Sequence, residues 1–176
     1  MISILAATSN DALLLSEIGS LSLVESHGHS APEADIKHYV QTNMSEEAFL
    51  QELSNPDHLY HIIFSDGQPA GYSKMMLNTP HENVPEQNVT KLGRIYVLKE
   101  FYGRNIGIEL FKHIVALSKA HQQAGLWLNV WVENHRAIKF YQKQGFEIVG
   151  KYDFEVSPTH FNPNHVMYLK YEINNE

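Results

Sequence analysis

Apolar residues recur every three to four positions in several stretches of the chain, a spacing that places them on one side of an α-helix. Ser9–Asp11 and Ser45 supply residues that cap helix N-termini, and Pro32 is typical of a first helical turn. We therefore predict helices that begin at these three places, and two longer helices over 105–120 and 134–144.

Short apolar or alternating runs lie between these helices and have the length of β-strands. Predicted strands cover 3–7, 59–64, 70–77, 89–98, 126–132, 146–156 and 166–173. Asp66-Gly67 is a hairpin signal, and Gly145 suits the left-handed residue that ends a helix. No linker or repeat divides the chain, so we expect one domain over 1–176. Its predicted class is mixed α/β, with a central mixed sheet of about six to seven strands flanked by helices.

Composition excludes several classes of protein. Of the 176 residues, 43% are hydrophobic and 19% are charged, an ordinary balance for a folded chain. No apolar run is long enough to span a bilayer and no basic segment opens the chain, so we expect a cytoplasmic protein without membrane contact. Cysteine is absent, which excludes disulfides and thiolate chemistry. A net charge of −7 disfavours nucleic acid as a partner, and it is compatible with a cationic substrate.

The segment RIYVLKEFYGRNIGIELF, residues 94–111, predicts a strand that runs through a short loop into a helix. Gly103 and Gly107 leave space where the backbone must turn or approach a ligand. The unpaired N–H groups and the dipole of the helix N-terminus favour an anion such as pyrophosphate, and Arg104 would add a charge-assisted contact. The alternative is a glycine-containing turn before an amphipathic helix. Neither a P-loop nor a G-x-G-x-x-G dinucleotide motif is present.

The segment LWLNVWVENHRAIKFYQKQGF, residues 126–146, predicts a buried strand followed by a helix. Asn134 lies where the helix needs a cap, and Ala137 and Tyr141 share a face with it. Such a face can carry an extended ligand. The tyrosine hydroxyl, with an ordinary pKa near 10, keeps its proton at neutral pH and can donate it to a departing thiolate. The alternative makes Asn134 a simple cap and the tyrosine a core residue; we favour a packing role for Phe140 and a functional one for Tyr141.

Together the two segments resemble the GNAT superfamily of acyl-CoA N-acyltransferases. That family has a strand ending in Val, then [QR]-x-x-G-x-[GA], and later N-x-x-A-x-x-[FL]-Y-x-x-x-G-F; this chain matches the second motif fully, from Asn134 to Phe146. The first motif follows Val97 with two changes, Tyr102 in place of Gln or Arg and Asn105 in place of a glycine. Residues 35–76 and the RIYVL run further resemble the Pai-type polyamine acetyltransferases.

The resemblance implies acetyl-CoA as the acetyl donor and a small primary amine, such as a polyamine, as the acceptor. It implies that backbone groups of Ile95, Tyr96 and Val97 bind the pantetheine arm and the thioester. It also implies that Asn134 forms a hydrogen bond to the far end of pantetheine. It gives Lys143 a phosphate contact and makes Tyr141 the general acid. The pyrophosphate loop that it implies comprises Gly103, Arg104, Asn105, Ile106, Gly107 and Ile108.

A proton acceptor for the amine is left unassigned. Many relatives carry a Glu on the strand just before the position of Arg94, and this chain has Gly93 there. Glu133, His81 and Glu82 are candidates by residue type and rough location.

Several other residues have ordinary interpretations. His27 and His29 form an H-x-H pair without a third ligand at a recognisable spacing, so we expect surface-loop histidines and no metal site. Trp127 and Trp131 lie on the same face of a predicted strand, and we predict that they occupy core or interface positions. Tyr39 and Tyr72 are candidates to line an amine pocket, although packing is the commoner role for each.

Two classes of function remain after these observations. The first is the N-acetyltransferase described above, acting on a small amine or on a protein or peptide amine. The second is a non-catalytic acyl-CoA-binding module that acts as a sensor or partner. A homodimer through the alternating strand near the C-terminus is a further hypothesis.

Overall fold

The computed structural model describes residues 1–173. The strands are β1 (Ile2–Ala6), β2 (His58–Ser65), β3 (Gln68–Met76), β4 (Thr90–Val97), β5 (Gly125–Trp131), β6 (Glu147–Ser157) and β7 (His160–Lys170). The α-helices are α1 (Ala12–His27), α2 (Glu33–Asn43), α3 (Glu46–Leu53), α4 (Ile106–Ala120) and α5 (His135–Lys143). The strands form one seven-stranded mixed sheet, flanked by the helices, which confirms the predicted fold class.

The strand order is β1-β2-β3-β4-β5-β7-β6. β4 and β5 are the parallel pair, and the other neighbouring strands run antiparallel. The parallel ladder pairs Thr90 with Leu126 and Lys91 with Trp127 before the two strands separate. The remainder of β4 therefore pairs on one side with β3, and no strand within residues 1–173 pairs with its other side.

Local sequence signals explain several of the element ends. Asp66 and Gly67 both have positive φ, 50° and 79°, which suits the tight turn between β2 and β3. The Ser45 hydroxyl accepts a hydrogen bond from the Ala48 N–H at 3.1 Å and caps α3. Gly145, at φ 101°, follows α5 in the left-handed region, as predicted.

The main core joins the helices to the sheet. Leu15 of α1, Phe49 of α3, Tyr72 of β3 and Ile114 of α4 are all fully buried in one cluster. Gly19 of α1 leaves room for the Phe49 ring and the Tyr72 hydroxyl, because a Cβ there would lie 3.0 Å and 3.3 Å from them. A second, smaller cluster includes Trp127, on the opposite side of β5 from Leu128.

Helix α1 has 16 residues and buries one side only. Leu15, Ile18 and Leu23 lie in the core, whereas Leu13 and Leu21 are more than half exposed. Within residues 1–173, neither α1 nor any other helix has both the length and the apolar character needed to cross a membrane.

The predicted start and end of the last strand were wrong. β7 begins at His160, before the polar Asn162-Pro163-Asn164 run, and ends at Lys170. Long pairing with β6 in one hairpin holds this polar run in a strand. The Pro163 carbonyl accepts from the Val132 N–H at 3.0 Å, so the missing proline N–H faces the end of β5 and costs no ladder bond to β6.

A buried histidine pair lies between β2 and α4. The rings of His61 and His113 are 4.9 Å apart, and among residues 1–173 His61 Nδ1 and His113 Nε2 are buried without a hydrogen-bond partner. Burial, followed by the neighbouring His113, lowers the pKa of His61 to about 4. The folded protein therefore favours the neutral ring, whereas the unfolded chain takes up a proton near pH 6.5.

We expect acid to destabilise the fold through His61. Between the folded and unfolded pKa values of His61, the unfolded chain binds more protons than the folded protein. The contribution of His61 to stability is therefore fully present above pH 6.5 and is lost as the pH falls toward 4. His61→Gln should reduce the loss of unfolding free energy between pH 7.5 and pH 5 by about 1 kcal/mol. Denaturant unfolding at both pH values measures this. The exposed His38→Gln is the control, and an equal pH dependence in wild type and His61→Gln would contradict the assignment.

Candidate active site

The separation of β4 from β5 opens a cavity of about 680 Å³. The C-terminal end of α1, helix α2 and strands β4 to β7 form most of its walls. The loop before α4, the first turn of α4 and the first two turns of α5 form the rest. Ile95, Tyr96 and Val97 pair with Ser73, Tyr72 and Gly71 of β3, and the other edge of β4 faces the cavity. Backbone N–H and C=O groups at that edge are free to bind an extended ligand, because buried peptide groups need partners.

The loop before α4 has the geometry of an anion site. Gly103 and Asn105 both have positive φ, 77° and 61°, so the asparagine adopts the left-handed conformation expected of the glycine that it replaces. No side chain in the described part of the chain caps α4, which leaves its first N–H groups open. Ile106, Gly107 and Ile108 also line the cavity, and a Cβ built at Gly107 would meet only the Val97 side chain, at 3.8 Å.

The arginine whose guanidinium lies beside this loop in the cavity is not the one that the sequence predicted. Arg104 is exposed and does not line the cavity, and its guanidinium lies 5.4 Å from the Phe101 ring. Arg136 of α5 lines the cavity instead, with its guanidinium 3.8 Å from the ring centroid of Tyr102. Lys143 is exposed and outside the lining, because it lies two helical turns, roughly 10 Å, beyond Arg136. Sequence analysis missed Arg136, and the aromatic substitution at position 102 was the available signal.

Helix α5 places Asn134 and Tyr141 on the cavity wall. The Asn134 side chain accepts from the Ala137 N–H at 3.2 Å and caps the helix, so its amide N–H₂ group is left to face a ligand. Tyr141 is 8% exposed and packs against Phe140 and Phe146. Phe140, expected in the core, is half-buried and lines the cavity as well.

The Tyr141 hydroxyl is suited to donate a proton into the cavity. Burial, with a smaller contribution from Tyr96, raises the pKa of Tyr141 above its ordinary value, so the phenol stays protonated. Among residues 1–173 this hydroxyl has no hydrogen-bond partner. A substrate atom can therefore take the proton without displacing a partner inside the protein.

Comparison with known proteins identifies the family. The sequence model of the acetyltransferase (GNAT) family matches residues 22–146, more than half of the chain, and this range holds β4, the loop, α4 and α5. The chain belongs to the acetyltransferase (GNAT) family. It is therefore an N-acetyltransferase with acetyl-CoA as its acetyl donor, and the matched range contains the loop, β4 and α5, which line the cavity.

Individual relatives are distant. An uncharacterized N-acetyltransferase of Lactobacillus delbrueckii subsp. lactis is 28% identical over 116 residues, 66% of either chain. The spermine/spermidine N(1)-acetyltransferase of Bacillus subtilis is 22% identical over 52% of this chain and 61% of its own. The PaiA N-acetyltransferase of Thermoplasma acidophilum, solved with coenzyme A, has a TM-score of 0.77 at 23% identity and covers 97% of this chain and 99% of that one. The structural likeness supports the fold of this GNAT protein.

His27 is the cavity residue that sequence analysis misjudged most. It ends α1, is half-buried and lines the cavity, whereas His29 is exposed; the surface-loop interpretation of His27 was wrong. Its ring lies 6.0 Å from that of Tyr96 and 6.1 Å from that of Trp131. Burial, and then His29, lowers the pKa of His27 to about 4, so the imidazole is neutral at physiological pH. Within residues 1–173 no group of three or more His, Asp or Glu side chains is placed to hold a metal ion.

Hydrogen bonds fix the tautomer of His27. Ser26 Oγ lies 2.8 Å from the Ser22 carbonyl oxygen and 2.6 Å from His27 Nδ1. The carbonyl can only accept, so the hydroxyl proton goes to it and the hydroxyl oxygen accepts from Nδ1–H. His27 Nε2 then carries the free lone pair and can take up a proton.

The three candidates named for the proton acceptor lie outside the cavity lining. Glu133 is exposed and contacts His135 at 3.5 Å. His81 packs its ring against Trp127, at 4.6 Å, on the other side of the β4–β5 pair from α4, and Glu82 follows it in an exposed turn. These three residues are close to the motifs in the sequence, but they do not line the cavity.

Gly107→Glu should abolish donor binding without harming the fold. The new side chain has space in the free protein, and a carboxylate near a helix N-terminus is not destabilising. The new carboxylate, however, occupies the space that the phosphates of acetyl-CoA need and repels their negative charge. We therefore expect the affinity for acetyl-CoA to fall by at least about 10²-fold. Calorimetry and the Tm shift with acetyl-CoA measure this. Gly107→Ala, which adds bulk without charge, is the matched control, and wild-type affinity in Gly107→Glu would show that the loop is misassigned.

Proposed function

We propose that this acetyltransferase moves the acetyl group from acetyl-CoA to a primary amine by direct attack of the amine on the thioester. One observation carries the proposal: a single cavity brings together an open helix N-terminus, the free edge of β4 and the Tyr141 hydroxyl. The extended donor then runs from the loop at Gly103–Ile108 along Ile95–Val97, with Asn134 at its side, and its thioester reaches the region of Tyr141.

Tyr141 acts as the general acid in this scheme. The amine nitrogen forms a bond to the acetyl carbon, the carbon–sulfur bond breaks, and the departing thiolate takes the phenol proton. A raised pKa ensures that Tyr141 is in the proton-carrying form throughout the physiological range. Since coenzyme A thiolate is a tolerable leaving group, this proton accelerates the reaction without being indispensable.

His27 acts as the proton acceptor for the amine. Its Nε2 lone pair is free, its ring is neutral, and it lines the same cavity as Tyr141. The attacking nitrogen must lose a proton to become an amide, and His27 can take it directly or through a water molecule. This assignment supplies the base that Gly93 cannot provide.

The competing proposals differ in what the cavity does. A non-catalytic acyl-CoA-binding module would bind the donor and release no thiol with any amine. A protein-directed enzyme would act on peptides with a free amine in preference to small amines; the Escherichia coli ribosomal-protein-S18-alanine N-acetyltransferase shares this fold, with a TM-score of 0.70 at 18% identity. The Tyr141 hydroxyl, free of partners within residues 1–173, favours a catalytic protein.

Tyr141→Phe tests the function and the acid together. In a thiol-release assay with a panel of primary amines, wild type should acetylate at least one, and the variant should lose about 10²-fold or more in kcat. Only the hydroxyl is removed, so Tm and acetyl-CoA affinity should hold. Tyr171→Phe, at a buried tyrosine outside the cavity lining, is the matched control. A donor thioester with a more acidic thiol should partly rescue Tyr141→Phe. Unchanged kcat with chemistry rate-limiting would make Tyr141 a packing residue.

The pH profile of His27→Gln tests the base. A histidine with a pKa about 4 is neutral from pH 8 to pH 6, so the ratio of wild-type to variant kcat should exceed about 10 and stay flat over that range. The ratio should fall only as the pH approaches 4, when wild-type His27 also becomes protonated. An ordinary histidine would instead lose about three quarters of its base form by pH 6. Ser26→Ala keeps the ring and removes its anchor, and should give a smaller loss; a ratio near one at every pH would remove His27 from the mechanism.

A further inference from the structure

The cavity has an end that the donor does not need. This end lies where β4 and β5 still pair, opposite the loop before α4. Its polar wall consists of Lys91 and Arg94 of β4 and Asn129 of β5, and we call it the acceptor end. Asn162 and Asn164 of β7 line the cavity further along, where Asn164 pairs with Trp131 at the end of β5.

The charge of the cavity is opposite to that of the chain. Among residues 1–173, no Asp or Glu side chain lines it, although the chain has 20 acidic and 13 basic residues. Lys91, Arg94 and Arg136 are its cationic side chains, and Arg136 of α5 lies against Tyr102, beside the loop before α4. On β6, Tyr152 and Phe154 face the cavity, and strand alternation turns Asp153 outward.

Arg94 is only partly neutralised. Its guanidinium lies 3.5 Å from Glu52 of α3, and the Lys74 ammonium lies 3.2 Å from the same carboxylate. Both cationic side chains are largely buried, at 13% and 11% exposed. Two buried cations therefore share one carboxylate, which leaves an excess positive charge behind this wall of the cavity.

Lys91 is a second source of positive charge. It is half-buried, and its ammonium lies 5.0 Å above the Trp127 ring. Within residues 1–173 it forms no salt bridge. Burial lowers its pKa, which means that the protein environment disfavours the charge and that a bound anion would stabilise it. Lys91 precedes Val97 by six residues, roughly 20 Å of strand, so it is too far from the loop to serve the pyrophosphate.

Neutral amides lie in the acceptor end and beside it. Among the described residues, Asn129 Oδ1 and Asn164 Oδ1 are buried without a hydrogen-bond partner. Buried carbonyl oxygens of this kind need a donor, and an amine supplies N–H groups. The acceptor end thus combines acceptors suited to an amine with unpaired cations suited to an anion.

We propose that the acceptor is an amine that also carries a carboxylate, of which a free amino acid is the smallest example, and that Lys91 and Arg94 bind this carboxylate. The proposal rests on the acetyl transfer proposed above. A polyamine fits the acceptor end less well, because its remaining ammonium groups would meet two cations and no carboxylate.

The test compares acceptors that differ in the carboxylate alone. Each common amino acid is assayed beside its primary amide by thiol release at saturating acetyl-CoA, with spermidine, spermine and a short peptide as further acceptors. We expect kcat/KM for at least one amino acid to exceed that for its amide by 10-fold or more, and to exceed that for either polyamine. In Lys91→Gln the preference should shrink to about threefold or less through KM, with unchanged affinity for acetyl-CoA, and Lys91→Arg should retain it. Lys112→Gln, at an exposed lysine of α4, is the control and should behave as wild type.

The outcomes separate this inference from the function on which it rests. Equal rates for acid and amide, faster acetylation of a polyamine or of the peptide, or an unaltered preference in Lys91→Gln would each overturn the carboxylate assignment and leave acetyl transfer standing. Donor binding without thiol release for any acceptor would overturn both.

Discussion

The interrupted ladder between β4 and β5 is the constraint on which the functional part of this molecule depends. Two residue pairs join these parallel strands, and beyond Lys91 and Trp127 they diverge. A strand edge left unpaired inside a protein is normally costly, because each peptide group there lacks a partner. Here β3 holds the other edge of β4, so the divergent edge stays extended and its groups are presented to the cavity. A ligand with alternating donors and acceptors along its length can complete the ladder.

Burial in the same cavity sets the protonation of its reactive groups. The protein holds Tyr96 and Tyr141 in their protonated form and His27 in its neutral form, because desolvation disfavours every charged state. Aminolysis of a thioester at neutral pH starts from an acid that carries its proton and a base that lacks one, and the same desolvation lowers the strength of both groups in the transfer itself. The acceptor end departs from this pattern, since Lys91 and Arg94 bring positive charge into it. An anionic ligand is needed to offset this charge, whereas the neutral groups need no such partner.

The sequence predicted the fold and the local geometry of the loop and α5 far better than the acceptor end. The loop and α5 are continuous segments, and their chemistry follows from caps, left-handed residues and helix spacing, so Asn105 and Gly145 have the conformations expected of them. The acceptor end and the cavity wall beside it join α1, β4, β5 and β7, whose residues are far apart in the chain. Periodicity could not show that His27 turns inward at the end of α1. It also could not show that Trp131 faces the cavity while Trp127, four residues earlier on the same face of β5, lies in a separate core.

The proposed acid and base also explain how the site returns to its starting state. After one transfer, His27 carries an extra proton and Tyr141 has lost one. Both states are unfavourable where they are formed, since burial lowers the pKa of the imidazole and raises that of the phenol. Transfer of the proton from His27 to Tyr141, directly or through solvent, is therefore strongly downhill. The same desolvation that prepares the two groups before the reaction thus drives their recovery after it, and neither group needs a permanent charged partner within the cavity.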